Sequence, residues 1–164
     1  MASAPDLTAT MNTIITTTSE TSQLRAPESG LAWHQTDTEL ILKSIAEAPI
    51  VSPLKAYGYI TSKDMLTRNW TYSLNGAVGF IEDSGTVFIK HSSLTQSLVA
   101  TVPPQQQDLA GKASISGIGK VVKVNMDNLN EDGEWHLTVH AEHDVFDPES
   151  SGHCSPDLDD SGVD

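Results

Sequence analysis

Residues 70–90 read WTYSLNGAVGFIEDSGTVFIK, and the spacing of their apolar residues indicates the fold class. In its first half every second residue is apolar or glycine, and the same spacing returns in its second half at Val87 and Ile89. Alternation with a period of two is typical of β-strands that bury one face. The residues between the two halves, 82–85, are acidic residues followed by serine and glycine, which favours a tight turn. The stretch therefore predicts a β-hairpin.

Strand-like alternation also covers the segments 54–60, 121–126 and 135–141. A polar connection over 125–133 ends in Asp-Gly and predicts a second hairpin. Glycines recur inside the predicted strands, where each one destabilises the strand unless the strand bends or bulges. Several such glycines in one small sheet favour coiled strands that close on themselves. We therefore expect a mainly β protein built on a small, closed or partly open barrel of five to six strands.

One N-terminal helix is predicted ahead of this barrel. Thr36 or Asp37 can cap the helix, Pro49 ends it, and the apolar residues between them recur at helical spacing. Those apolar residues are Leu40, Ile41 and Ile45. A second, short helix is expected within 91–111, and its apolar residues are Leu94, Leu98 and Val99.

The predicted elements from 54 to 141 follow one another as three strands, a short link and two strands. This order resembles that of the OB-fold, a five-stranded Greek-key barrel. A lipocalin-like barrel, a small sandwich and another α+β fold are alternatives, because a period of two does not determine how strands are ordered in a sheet.

The chain has 164 residues, which fits one domain with tails. Residues 1–30 are rich in serine and threonine and have almost no apolar periodicity, so we expect a disordered tail there. Residues 147–164 hold six acidic residues and no lysine or arginine, and we expect a second, acidic disordered tail. A single barrel domain with its leading helix then spans 31–146. Both tails are expected to be dispensable for folding, and Trp135 is expected to anchor the core.

Composition disfavours several classes of protein. The formal net charge of −13 excludes a basic nucleic-acid footprint over the whole molecule. No apolar run of membrane-spanning length and no signal peptide are present, so we expect an intracellular protein that does not associate with membranes. Cys154 is the only cysteine, which excludes an intramolecular disulfide and a Cys-based zinc centre.

No catalytic or metal-binding pattern emerges from the sequence. His136 and His140 share a face of one predicted strand, but at ~3.3 Å per residue they lie about 13 Å apart, too far to hold one ion. The nucleophile motif G-x-S-x-G is missing. We expect no metal, no cofactor and, on balance, no enzymatic activity.

The candidate binding residues are aromatic and basic, and they alternate with the apolar stripes of the predicted strands. If the apolar residues face the barrel interior, these side chains face outward. On such a surface aromatic rings can stack on bases and lysines can contact phosphates. The set is Lys55, Tyr57, Tyr59, Phe88, Lys90 and Lys123.

The leading interpretation is a non-enzymatic binding module that contacts single-stranded nucleic acid or a protein partner. The alternative is a barrel that binds a hydrophobic small molecule, as a carrier or as a cyclase or isomerase. Trp70, Tyr72 and Trp135 would then line a cavity. A third possibility is an assembly subunit without a ligand. A filled barrel interior favours the first interpretation, and an open cavity favours the second.

Overall fold

The computed structural model describes residues 9–25, 30–44, 48–81, 84–127 and 136–143, and for Asp127 and His136 only the backbone. The described chain is mainly β, as predicted. Its elements are β1 (Ala9–Thr17), β2 (Ser22–Gln23), β3 (Ala32–Leu42), β4 (Ile50–Ile60), β5 (Thr71–Ile81), β6 (Thr86–His91), β7 (Gln96–Ala100), α1 (Gln106–Leu109), β8 (Ser114–Gly117), β9 (Lys120–Asp127) and β10 (His136–Glu142).

Five strands close into a barrel in the order β1-β3-β4-β6-β5-β1. Neighbouring strands are antiparallel except β4 and β6, which are parallel. The barrel closes where Thr16 and Thr17 of β1 pair with Glu39 and Thr38 of β3. The expectation of a closed β-barrel is therefore confirmed. The hairpin predicted from residues 70–90 is present as β5 and β6, with Gly85 in the turn at a φ of 68°.

The barrel interior is packed with apolar side chains. Each strand alternates an inward face and an outward face, and the inward faces supply almost fully buried residues. Burying one such side chain contributes about 1.5–3 kcal/mol. Leu66, in the connection between β4 and β5, packs against the same core. The inward residues include Met11, Ile15, Leu54, Leu74 and Ile89.

The segment after β7 packs back onto the barrel. Leu109 of α1 is buried, and the Gly111 N–H donates a hydrogen bond to the Ile41 carbonyl, 3.1 Å away. Next, β8 pairs antiparallel with the first half of β1. Within the described part of the chain, no helix is long and apolar enough to cross a membrane.

The helix predicted between Thr36 and Pro49 is wrong where the structure describes these residues, because most of them belong to β3. The buried face of β3 carries hydroxyl and imidazole groups, and the Thr38 hydroxyl donates to the Leu54 carbonyl at 2.8 Å. Since the inward face is polar, the remaining apolar residues give a misleading helical period. The buried residues are Ala32, His34, Thr36 and Thr38.

The disordered tail predicted over 1–30 is wrong for residues 9–25, which form β1, β2 and the link between them. Inward residues alternate along β1 and are almost fully buried. Two of them are threonines, so the strand looks polar in composition although it pairs with β5 over seven residues. Residues 1–8, 26–29 and 147–164, which also belong to the predicted tails, lie outside the described residues.

Two of the predicted barrel strands lie elsewhere. Residues 121–126 and the described part of 135–141 form a separate two-stranded sheet, β9 and β10, so the second predicted hairpin is confirmed as a strand pair. Their places in the barrel are taken by β1 and β3. The predicted helix within 91–111 is also wrong in position, because Leu98 and Val99 belong to β7 and α1 starts at Gln106. Trp135 lies outside the described residues.

Candidate functional site

A groove of about 450 Å³ crosses the outer surface of the barrel. Residues of β3 and β4, which pair antiparallel over eleven residues, form most of it. Thr18 flanks β3 on one side, where its N–H donates to the Asp37 carbonyl at 2.8 Å. Thr86, the first residue of β6, flanks β4 on the other side. The groove is therefore bordered by the connection from β1 to β3 and by the hairpin between β5 and β6.

The groove combines two carboxylates with one ammonium group and an apolar patch. Asp37 and Glu39 project from the outward face of β3, because inward residues alternate with them. Lys55 lies opposite Asp37 in the strand register, and Pro53 lies opposite Glu39. Val51, which is 43% exposed, extends the apolar patch along β4. Such a site can recognise charge and shape.

The groove contains one of the predicted binding residues, Lys55. The acidic pair was missed because residues 37 and 39 fall in the predicted helix, and Thr18 was missed because it falls in the predicted tail. Trp33, Gln35 and Asp37 alternate with residues that are buried in the structure. If threonine and histidine are counted as inward-facing residues, this alternation predicts a strand rather than a helix.

Tyr57 and Phe88 do not form an exposed stacking surface. Both side chains are almost fully buried, with ring centroids 5.5 Å apart in an edge-to-face arrangement. The Phe88 ring lies over Gly79 of β5, where a side chain would overlap it. Lys90 lies beside this pair, with its Nζ atom 6.0 Å from the Phe88 ring centroid. The expectation that both aromatic rings point into solvent is therefore wrong, and their geometry is that of packing residues.

Tyr59 and Lys123 occupy two different surfaces. Tyr59 is 41% exposed on the outward face of β4, and its ring centroid is 5.4 Å from that of Trp33 on β3. Lys123 belongs to β9, in the separate two-stranded sheet. Five of the six predicted residues lie on one face of β4 and β6, but only part of that face is exposed. These five are Lys55, Tyr57, Tyr59, Phe88 and Lys90.

Trp70 and Tyr72 stack at 6.5 Å between centroids. Tyr72 is buried in the core, and its hydroxyl accepts a hydrogen bond from the Thr67 N–H at 3.0 Å. Both rings therefore pack within the protein. Among the residues that the structure describes, the histidines and acidic residues form no cluster of three that could hold a metal ion.

Two histidines are buried in the barrel wall on either side of Gly58. The strand registers place His34 and His91 opposite Gly58 on the two neighbouring strands. A Cβ atom at residue 58 would lie 2.7 Å from His91 Cε1, so glycine makes room for the imidazole. The pKa of His91 is lowered to about 4, mainly because burial disfavours the charged imidazole; the Gln96 side chain and the Ser92 backbone partly oppose this shift, and the nearby His34 adds to it.

We expect acid to destabilise the protein through His91. The unfolded imidazole binds a proton near its ordinary pKa of 6.5, whereas the folded one stays neutral down to about 4. The contribution of neutral His91 to the free energy of unfolding is therefore fully present above pH 6.5. It is lost as the pH drops towards 4, by about 3 kcal/mol in total. Urea unfolding measured across this pH range should show a smaller loss in His91→Gln than in the exposed-site control His140→Gln. Equal losses in the two variants would contradict the assignment.

The groove on β3 and β4 is thus a candidate binding site that combines charged and apolar side chains. The sequence matches no protein-family model and resembles no curated protein closely enough to indicate a relative.

Proposed function

We propose that this chain is a non-enzymatic binding module with an OB-type barrel, and that the groove binds an extended segment of a protein partner. The observation that carries the proposal is the position of the groove. In an OB-fold the ligand is bound on the second and third strands, between the loops that follow the first and fourth strands. In chain order the barrel strands are β1, β3, β4, β5 and β6, so the groove lies on the second and third.

The strand order supports the OB assignment. The first barrel strand pairs with the second and the fourth, and the third strand runs parallel to the fifth. Thr18 follows the first strand, and Thr86 follows the hairpin between the fourth and fifth. The connection over 61–70, with the buried Leu66, contributes to the core where the chain passes from the third strand to the fourth.

The charge of the groove favours a protein partner over nucleic acid. Two carboxylates and one ammonium group line it, and the whole chain has a net charge of −13. Nucleic-acid affinity depends on cationic contacts to phosphates, which this lining opposes. A segment that carries lysine or arginine next to an apolar side chain would complement Asp37 and Glu39 together with the patch at Val51 and Pro53. The packed barrel interior also agrees with a binding surface on the outside of the barrel.

Selection from a random linear peptide library displayed on phage tests this proposal with the full chain as bait. Enriched peptides should carry lysine or arginine beside apolar residues. Each exposed ion pair contributes up to about 1 kcal/mol, so the double variant Asp37→Asn/Glu39→Gln should bind these peptides about tenfold more weakly. Glu142→Gln removes one acidic charge outside the groove and should leave the affinity unchanged. Equal affinities for all three proteins, or no enrichment, would contradict the proposal.

Single-stranded nucleic acid is the second candidate, and one observation favours it. The Trp33 and Tyr59 rings pair on the outward face of β3 and β4, with Tyr59 41% exposed. If a base stacks there, Tyr59→Ala should weaken the binding of a single-stranded oligonucleotide at low salt by about 1–3 kcal/mol in fluorescence anisotropy. Oligonucleotide binding that depends on Tyr59 would place nucleic acid ahead of a protein partner.

A further inference from the structure

The ribbon formed by β9 and β10 is amphipathic. Met126 pairs with Leu137, and Val124 pairs with Val139, so these four side chains share one face. The opposite face carries Lys123 across from His140, and Asn125 across from Thr138. The shift in register between His140 and Ala141 keeps Val121 and Ala141 on the apolar side.

The apolar face of the ribbon is open to solvent in the single chain. The exposed fraction of its large side chains ranges from 49% at Val122 to 66% at Met126. A two-stranded sheet is marginally stable on its own in water and needs a second layer over its apolar face. The described residues leave this face about half exposed, so a second layer over it would bury apolar surface.

We propose that the apolar face of the β9–β10 ribbon is the contact between two copies of this chain, packed face to face about a two-fold axis. The two ribbons would form a two-layered, four-stranded assembly, and the same patch would serve both copies. The proposal rests on the ribbon alone and does not depend on the groove.

Charge supports a second copy as the occupant. Two chains of net charge −13 repel each other over most of their surfaces. The strands of the ribbon are an exception, because Lys120 and Lys123 are balanced by Asp127 and Glu142.

The area of the patch sets the strength of this contact. Complete burial of a Val, Leu or Met side chain removes about 100 Å² of apolar surface, so six half-exposed residues supply roughly 300–400 Å² per copy. Interfaces between identical chains are about two-thirds apolar. The apolar area of both copies therefore corresponds to a total buried surface of about 1,000 Å², which is the lower limit for a specific interface. We therefore expect a weak dimer with a dissociation constant in the micromolar range. The six residues are Val121, Val122, Val124, Met126, Leu137 and Val139.

Sedimentation velocity of the full chain over a concentration series tests the proposal. The wild-type protein should pass from monomer to dimer in the micromolar range. Val139→Lys places a charge on the apolar face and should weaken dimerisation more than tenfold. Thr138→Lys introduces the same charge on the opposite face and should leave the dimer intact. A wild-type chain that stays monomeric up to about 1 mM, or equal effects of the two variants, would overturn the proposal.

A mixing experiment separates loss of the contact from loss of the ribbon. Val139→Lys and Val139→Glu should each be monomeric, and an equimolar mixture should form a dimer, because opposite charges at the contact attract. Recovery in the mixture would show that both variants keep the ribbon fold. If the mixture stays monomeric while backbone amide NMR shows an intact ribbon in both variants, the apolar face is not the contact. If the ribbon is lost in either variant, a milder variant, Val139→Thr, replaces them, and its dimer affinity is compared with that of Thr138→Lys. A Val139→Thr dimer that is as strong as the wild-type dimer would overturn the proposal.

Discussion

A chain that starts at residue 18 should fail to fold. It lacks β1, which pairs with β5 over seven residues and closes the barrel against β3. Replacing Met11 or Ile15 by alanine alone would cost about 2–5 kcal/mol, and the stability of a whole domain is about 5–15 kcal/mol. Far-UV circular dichroism during heating should show no cooperative transition. A truncated protein that melts cooperatively at the same temperature as the full chain would show that β1 is not part of the barrel.

Two point variants in β1 give the matched comparison. Ile15 faces the core and is fully buried, whereas Asn12 faces outward and is exposed. Ile15→Ala should lower the free energy of unfolding by about 2–5 kcal/mol, and Asn12→Ala should change it by about 0.5 kcal/mol or less. Urea unfolding measures both. An Ile15→Ala effect below about 1 kcal/mol would contradict the placement of this strand.

The missed strands β1 and β3 have a common physical cause, which is buried threonine. Thr17 of β1 is fully buried, and its hydroxyl donates to the Thr67 carbonyl at 2.6 Å. Thr36 of β3 is buried as well, and its hydroxyl lies 2.6 Å from that of Thr21. Hydrogen bonds offset the desolvation of these groups, and the branched side chains suit a strand. Composition alone treats such residues as solvent-exposed, so the alternation that predicts a strand is hidden.

The β5–β6 hairpin was predictable because its signals are local. Apolar alternation and turn residues lie within about twenty residues of each other and need no information about the rest of the chain. The groove has no comparable signal. It brings together Thr18, Asp37, Lys55 and Thr86, and only the closure of the barrel makes these positions neighbours. A period of two predicts the face of each side chain but not what covers that face.

Tyr57 and Phe88 show that a side chain on the outward face of a strand can still be buried. Both lie on the outward face that their alternation predicts, yet both are almost fully buried. The Phe88 ring occupies the space beside its neighbour in register on β5, Gly79, where a Cβ atom would overlap it. The pairing of a phenylalanine with a cross-strand glycine is a property of the register, which the single-strand pattern does not contain. The exposure of an outward aromatic residue therefore depends on its neighbours in the sheet, which are known only when the register of the strands is known.

Gly76→Ala should be among the most destabilising single substitutions in the barrel. A Cβ atom at this residue would overlap the backbone carbonyl of Lys90 on β6. Gly76 is held in place by pairing with Met11 of β1, and β6 is held by pairing with β4. Neither strand can move away without breaking a ladder of the closed barrel. We expect a loss of more than about 3 kcal/mol in the free energy of unfolding, measured in urea, or a protein that does not accumulate in folded form.

Gly79→Ala is the matched control, because its Cβ atom would meet the side chain of Phe88 rather than backbone. A side chain can be shortened, so Gly79→Ala/Phe88→Leu should recover part of the stability that Gly79→Ala loses. The corresponding pair, Gly76→Ala/Lys90→Ala, should recover nothing, since the overlapping atom at Lys90 belongs to the main chain. Recovery in the second pair, or a Gly76→Ala cost below about 1 kcal/mol, would mean that β5 and β6 do not approach this closely and that the barrel is wider than described.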